Sequence, residues 1–457
     1  MSPPTTSQLL GPLFATDAMQ EIFCDRTRLQ RMLDVIAALA RAEARVGVIP
    51  SAAVAAIESR CRAEIFDVDA LARATAAAGN IAIPLIKDLT ARVASGDAAA
   101  AGFVHWGATS QDTIDTGLVL QLRDALALIE NDTARLAHAL ADLAEFHKRT
   151  VVAARTWMQQ ALPTTFGLKA AGWLSAIDRH RLRLRELKPR ILVLQFGGAA
   201  GTLAALGADG MATASALAGE LELALPDSPW HTQRDRVVEV ATVLGLITGT
   251  LGKITRDISL MMQTEVGETF EPRAPGRGGS SSMPHKRNPV GSAVVLAAAT
   301  RVPPLVSTLL ASMPQEHERG LGGWHAEWET LPQICALCSG ALAHTIDVIA
   351  GLDVDTDRMR ANLETTDGLI FAEAVTMALA KHLGRMPAHE LIESACRRAL
   401  EQGRNLYDIL AGDSKVNALL SDTELTAMFD PLNYLGSAEQ FVDRVLAQHR
   451  TTNQDVT

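Results

Sequence analysis

The sequence predicts an all-α protein built around a bundle of long helices, and three observations carry that prediction. From Leu122, the positions Leu122, Leu126, Ile129, Thr133, Leu136, Leu140 and Leu143 alternate spacings of four and three. From Val240, the positions Val240, Leu244, Ile247, Leu251, Ile254, Ile258 and Met261 do the same. A sustained 3.5-residue period keeps one apolar seam turned toward a nearly parallel neighbour, as in a bundle or coiled coil. The composition agrees: 48% of residues are hydrophobic but only 4% aromatic, so alanine and leucine fill the core, which suits close-packed helices. No strand-rich region, internal repeat or low-complexity block stands out.

At 457 residues the chain is long enough for two or three domains. Three helical domains are expected: residues 1–112, a central long-helix bundle over 113–360 that includes a polar loop at 271–289, and residues 361–457. The last seven residues, TTNQDVT, read as a frayed end. Gly245, Gly249 and Gly252 would each weaken the second long helix by about 1 kcal/mol, so another backbone is expected to pass close by. One chain offers few helices of this length, and burying every apolar face calls for further copies. A homo-oligomer is expected.

The net charge of −10 argues against nucleic acid as a partner but says nothing against an anionic substrate, because site charge is local. No basic segment followed by an apolar core opens the chain, so a signal peptide is not expected. The longest uncharged stretch, Ile191 to Ala208, contains Gln195 and four glycines. That is poor material for a membrane span and reads instead as a buried turn. Cys24, Cys61, Cys335, Cys338 and Cys396 fit a reduced, cytoplasmic protein. Cys335 and Cys338 form a lone C-x-x-C within an apolar helical run, without the second ligand pair that a metal site needs. His317, His325 and Glu327 have a loosely metal-like look without a complete ligand set, and no metal is expected.

The segment Glu271 to Pro289, EPRAPGRGGSSSMPHKRNP, interrupts the helical pattern most sharply. Four prolines and three glycines forbid a regular helix there. Ser280, Ser281 and Ser282 sit among Arg273, Arg277, His285, Lys286 and Arg287, a mixture suited to anionic substrates. Asn288 followed by Pro289 predicts a helix start, with Asn288 as the N-cap of an apolar helix from Val290. Free N–H groups at that start would favour a carboxylate or phosphate.

Two further polar clusters flank the first long helix: His105 to Asp112 (HWGATSQD) and Arg155 to Gly167 (RTWMQQALPTTFG). Together, and in this order, the three clusters resemble the aspartase/fumarase (fumarate lyase) superfamily. The strongest part is Gly279-Ser280-x-x-Met283-Pro284-x-Lys286-x-Asn288, supported by Gly197 to Thr202 (GGAAGT) and Thr232 to Arg236 (TQRDR). The resemblance implies three helical domains, a homotetramer whose core is the long-helix bundle, and active sites shared between subunits. It implies neither a metal nor an organic cofactor.

Most members of that superfamily pair a histidine in the second cluster with a glutamate on the helix after the loop. Here Trp157 and Ala293 stand at those positions. That pair serves to handle a proton at a poor leaving group such as hydroxide or an amine. A carboxylate, with a pKa near 4, departs without one. Joint loss of the pair therefore points to lactone formation, in which the substrate's own carboxylate is nucleophile and leaving group. Pro229 to Arg236 (PWHTQRDR), Met313 to Arg319 (MPQEHER) and Trp324 to Pro332 (WHAEWETLP) resemble a lactone-forming, cycloisomerase branch acting on a small tricarboxylate.

The resemblance implies a role for each matching residue. Ser280 would move the proton, Lys286 and Asn288 would bind the carboxylate on which charge develops, and His105 would act at the same site. Thr109 and Ser110 would bind a second carboxylate, with Thr156, Gln159 and Gln233 as further substrate contacts. Ser280 as a plain hydrogen-bond donor and His105 as a buried structural histidine are the alternative readings. Two other functions stay open on the residues: a fumarate-releasing lyase of the adenylosuccinate lyase kind, and an inactive helical scaffold.

Overall fold

The computed structural model describes residues 9–454 apart from Pro275, Arg277, Ser280, Ser281 and Pro284. The fold is all-α. Its longer elements, in chain order, are α1 (Asp25–Val46), α2 (Ser110–Phe146), the strands β1 (Val151–Thr156) and β2 (Gln159–Thr165), α3 (Phe166–Ile191), α4 (Gly210–Leu221) and α5 (Asp235–Met261). They continue with β3 (Thr269–Phe270), α6 (Val290–Ala311), α7 (Gly323–Ala350) and β4 (Asp353–Val354). Shorter helices follow to the end of the described chain. The two heptad runs fall inside α2 and α5, as their period requires.

The chain divides into two compact units: Met1–Ala134, His180–Gly252 and Val294–His344 form the first, and Arg135–Arg179, Lys253–Ala293 and Thr345–Thr457 the second. The division falls inside α2, α3, α5, α6 and α7.

In the first unit α1 starts after Cys24, whose sulfur accepts from Thr27 N, and stops at Gly47, where φ is +91°. Its apolar stripe of Leu29, Met32, Leu33 and Ile36 packs with Ile57, Leu85 and Leu89. The α5 glycines resolve into two cases. A Cβ on Gly245 would lie 3.2 Å from the Val306 side chain, and one on Gly252 would lie 2.7 Å from Ala299 Cβ. Gly249 faces open space. The close neighbour expected from the sequence is thus the side-chain surface of α6, met at two of the three positions.

In the second unit β1 and β2 form an antiparallel hairpin with Thr156 opposite Gln159, and a register shift between Ala153 and Arg155. Val151 and Ala153 pack on Leu363, Ile370 and Phe371. This hairpin departs from the reading of Arg155 to Gly167 as a polar cluster between helices. Its two-residue tip is Trp157-Met158, without the Asn or Gly that marks such turns in a sequence. A separate core of Val375, Leu379, Ile392, Leu406, Leu410 and Val416 holds the terminal helices together.

Three helices, α5, α6 and α7, are long and apolar enough to cross a membrane by length and composition. The longest uncharged stretch, Ile191 to Ala208, is not among them. That stretch is mostly irregular backbone after the end of α3, with Leu194, Gln195 and Phe196 buried.

Candidate active site

Within the first unit, His105, Thr109 and Ser110 share the turn that enters α2. Ser110 is the first helical residue, so the free N–H groups of a 37-residue helix open beside the two hydroxyls. Thr109 N donates to Asp112 Oδ2 at 3.0 Å, which fixes the turn. His105 sits at φ +58°, with Nε2 2.9 Å from Thr113 Oγ1. Burial, only partly countered by Asp112, pulls its pKa down to about 4, so the ring is neutral at neutral pH.

Gln233 belongs to the same unit and is exposed. Its neighbours on either side are fastened to the first turns of α2. The His231 carbonyl accepts from Gln111 Nε2 at 2.8 Å. Arg234, almost fully buried, binds Asp115 at 2.7 and 3.2 Å and Glu327 at 2.9 and 2.5 Å. Burial alone would lower the Arg234 pKa, but Asp115 and Glu327 more than offset this and raise it. Trp324 Nε1 adds a bond to Asp115 at 3.0 Å.

Within the second unit, Thr156 and Gln159 are both exposed and face each other across the hairpin tip. The adjacent Arg155 is a structural residue: it grips the fully buried Glu268 with two bonds, 2.9 and 2.6 Å. Arg301, in the first unit, stacks over Phe14 at 5.3 Å. Arg236 donates to the Arg190 carbonyl.

The polar loop is held at its ends. Asn288 N donates to Gly278 O at 3.0 Å, and a Cβ on Gly278 (φ +65°) would lie 2.8 Å from Asn288 O. Arg287 binds Asp353 at 3.0 Å and stacks over Phe270. The Lys286 side chain is exposed and makes no hydrogen bond or ion pair with the described residues. Ser280, the expected proton carrier, lies outside the described residues.

The start of α6 corrects the sequence reading. Asn288 does not cap it. The carboxylate of buried Glu271 takes Gly291 N at 2.9 Å, Ser292 N at 2.7 Å and Ser292 Oγ at 2.7 Å. The anion drawn to this helix start is the chain's own. Glu271, Glu268 and Asp112 escaped the sequence reading because each looks like an ordinary surface acid. Only Asp112, two residues into α2, carried a local signal, since acids in a first turn often bond back to the cap.

The two positions where the superfamily keeps its proton-handling pair are both solvent-facing: Trp157 is 98% exposed and Ala293 is exposed. The buried histidine–carboxylate pairs His231–Asp112 (2.7 Å) and His449–Asp178 (3.0 Å) involve neither position. Among the described residues no group of three or more His, Cys, Asp and Glu side chains could hold a metal. Cys335 and Cys338 are free thiols deep in α7, and burial raises both, Cys338 to about 12.

A model of the lyase family matches residues 13–303, and one for the adenylosuccinate lyase C-terminus matches residues 368–445. The chain belongs to the fumarate lyase superfamily. Within the superfamily it is 61% identical to 3-carboxy-cis,cis-muconate cycloisomerase from Pseudomonas aeruginosa, covering 98% of each chain. It is 59% identical to the enzyme of that name from Pseudomonas putida, over 92% of this chain and all of that one. The crystal structure of 3-carboxy-cis,cis-muconate lactonizing enzyme from Pseudomonas putida superposes with a TM-score of 0.94 at 57% identity, covering 98% of this chain and 100% of that one.

Proposed function

We propose that this protein is a 3-carboxy-cis,cis-muconate cycloisomerase, an intramolecular lyase that closes its tricarboxylate substrate to 4-carboxymuconolactone. The observation that carries the reading is the replacement of both members of the superfamily's proton-handling pair by Trp157 and Ala293, in a chain 61% identical along its length to a cycloisomerase.

The chemistry asks little of an acid. One carboxylate oxygen adds to the alkene carbon that bears the extra carboxyl group, forming the ring C–O bond. The alkene electrons move toward the neighbouring acetate-type carboxylate, giving an enediolate, and a proton then joins the α-carbon. Atoms balance, and substrate and product are isomers. The enediolate dianion dominates the barrier, so preorganised donors matter most. Lys286 and Asn288 bind this group in our reading, and Ser280 carries the proton. Because Glu271 already occupies the start of α6, Lys286 and not the helix dipole supplies the positive charge. Thr109 and Ser110 hold a second carboxylate at the start of α2. Neutral His105 serves there as a hydrogen-bonding group, while Thr156, Gln159 and Gln233 complete the polar contacts.

In our reading the protein is a homotetramer whose active sites draw on more than one subunit, and each chain comprises three domains divided at residues 112 and 360. Helix α6 supports this reading, being apolar yet mostly uncovered in the single chain. Copies of the chain, not lipid, cover it, in a soluble cytoplasmic protein with no metal or organic cofactor. Light scattering should give four times the 48.7 kDa chain mass.

The test of function is spectroscopic. With 3-carboxy-cis,cis-muconate, the conjugated-diene absorbance should fall as the lactone forms. Fumarate released from a succinyl adduct, with the diene untouched, would move the protein to the lyases of this superfamily.

A further inference from the structure

Asp112 is buried and receives five donors from three separate segments. Oδ1 lies 2.7 Å from His231 Nε2, 3.0 Å from Gly197 N and 3.3 Å from Gln195 Nε2. Oδ2 takes Gly198 N at 2.9 Å and Thr109 N at 3.0 Å. A helix cap needs one such bond. The acceptor sites of Asp112 are committed to backbone N–H groups and to the Gln195 and His231 side chains.

Each segment it joins bears on the site. Thr109 opens the turn with Ser110. Gly197 and Gly198 begin the Gly197 to Thr202 motif. His231 stands two residues before Gln233. The joint has no slack: a Cβ on Gly197 would lie 2.8 Å from His231 Cε1, and one on Gly198 (φ +71°) would lie 3.0 Å from Gly107 O. One turn further along α2, Asp115 secures the other side of Gln233 through Arg234.

We infer that Asp112 is a positioning residue that sets the Thr109–Ser110 turn, and through His231 the Gln233 segment, against the substrate's carboxylates. The inference rests on the cycloisomerase reading. It predicts that loss of one acceptor oxygen loosens substrate binding before it slows chemistry.

The test is a double-mutant cycle on 3-carboxy-cis,cis-muconate, pairing Asp112→Asn with a Thr109→Val, Ser110→Ala, Gln233→Ala background. Asp112→Asn alone should raise KM by about 10- to 100-fold, the scale of a loop misplaced by roughly 1 Å, while kcat changes less than about threefold. In that background the same substitution should change KM by less than about threefold, because coupled residues are non-additive. If Asp112→Asn does not fold, His231→Gln, which removes one donor, should show the same pattern with a smaller rise in KM. Equal effects in both backgrounds, or a loss of kcat with KM unchanged, would overturn the inference while leaving the enzyme's identity intact. A wild-type protein inactive on this substrate would overturn the functional reading and the inference with it.

Discussion

Thr156 and Gln159 pair across a turn two residues long, and both turn residues, Trp157 at φ +53° and Met158 at φ +66°, occupy the left-handed region. Side chains at such angles cost roughly 1–2 kcal/mol each. Strain of this kind persists where surrounding structure over-determines the conformation, often at functional sites. Here the register of β1 and β2 imposes it and presents the Trp157 indole to solvent.

Strain and function should therefore separate. Met158→Gly should stabilise the folded state by about 1 kcal/mol in urea melts and leave kcat/KM within about threefold. Trp157→Gly should relieve similar strain yet lower kcat/KM by about tenfold or more, because the indole stands between the proposed substrate contacts Thr156 and Gln159, where we assign it a wall of the pocket.

Arg155 lies beside expected substrate contacts but is committed to Glu268. Arg155→Met should destabilise the protein by about 3–5 kcal/mol, the cost of leaving a buried carboxylate unpaired. Adding Glu268→Gln should recover part of that loss. At temperatures where the single variant is folded, KM should stay near wild type, whereas a substrate-binding arginine would show a large rise.

Glu43 in α1 is fully buried, with neither carboxyl oxygen bonded, and burial pushes its pKa up to about 8. The folded state then binds a proton that the unfolded state, with its carboxyl near 4.5, has already released. Stability attributable to Glu43 is therefore greatest below pH 4.5, falls by about 1.4 kcal/mol per unit as pH rises toward 8, and levels off above. Glu43→Gln should remove this slope, and unfolding free energies at pH 6 and 8 would reveal it. Equal pH dependence in the two proteins would count against a buried neutral Glu43.

Burial also silences three thiols. In native protein a disulfide reagent such as Ellman's should label the half-buried Cys24 and Cys396, and leave Cys61, Cys335 and Cys338 untouched until the chain unfolds. Rapid native labelling of Cys335 or Cys338 would reopen a redox or metal role for the C-x-x-C pair.

Much of this architecture is legible in the sequence because helices announce themselves by period. The seams from Leu122 and Val240 fall within α2 and α5, and the polar loop before Val290 marks where α6 begins. The hairpin was hidden because Trp157-Met158 carries no turn signature, its geometry being imposed by the paired strands. Charges misled for a related reason. The roles of Arg155, Arg234, Glu268, Glu271 and Asp112 come from tertiary packing, which gives Arg155 to Glu268, Arg234 to Asp115 and Glu327, Glu271 to the start of α6, and Asp112 to His231. Those expected site residues that the structure describes are exposed or half-buried, so a motif could name them while no local pattern could show what holds them in place.

In the proposed mechanism the ring-closing oxygen needs no proton donor. Trp157 and Ala293 are both exposed, so Trp157→His combined with Ala293→Glu rebuilds the superfamily's acid pair without disturbing a core. The steady-state rate of diene loss with 3-carboxy-cis,cis-muconate should be no higher in this double variant than in the wild type. An increase of about tenfold or more, the scale of general acid catalysis, would contradict the account.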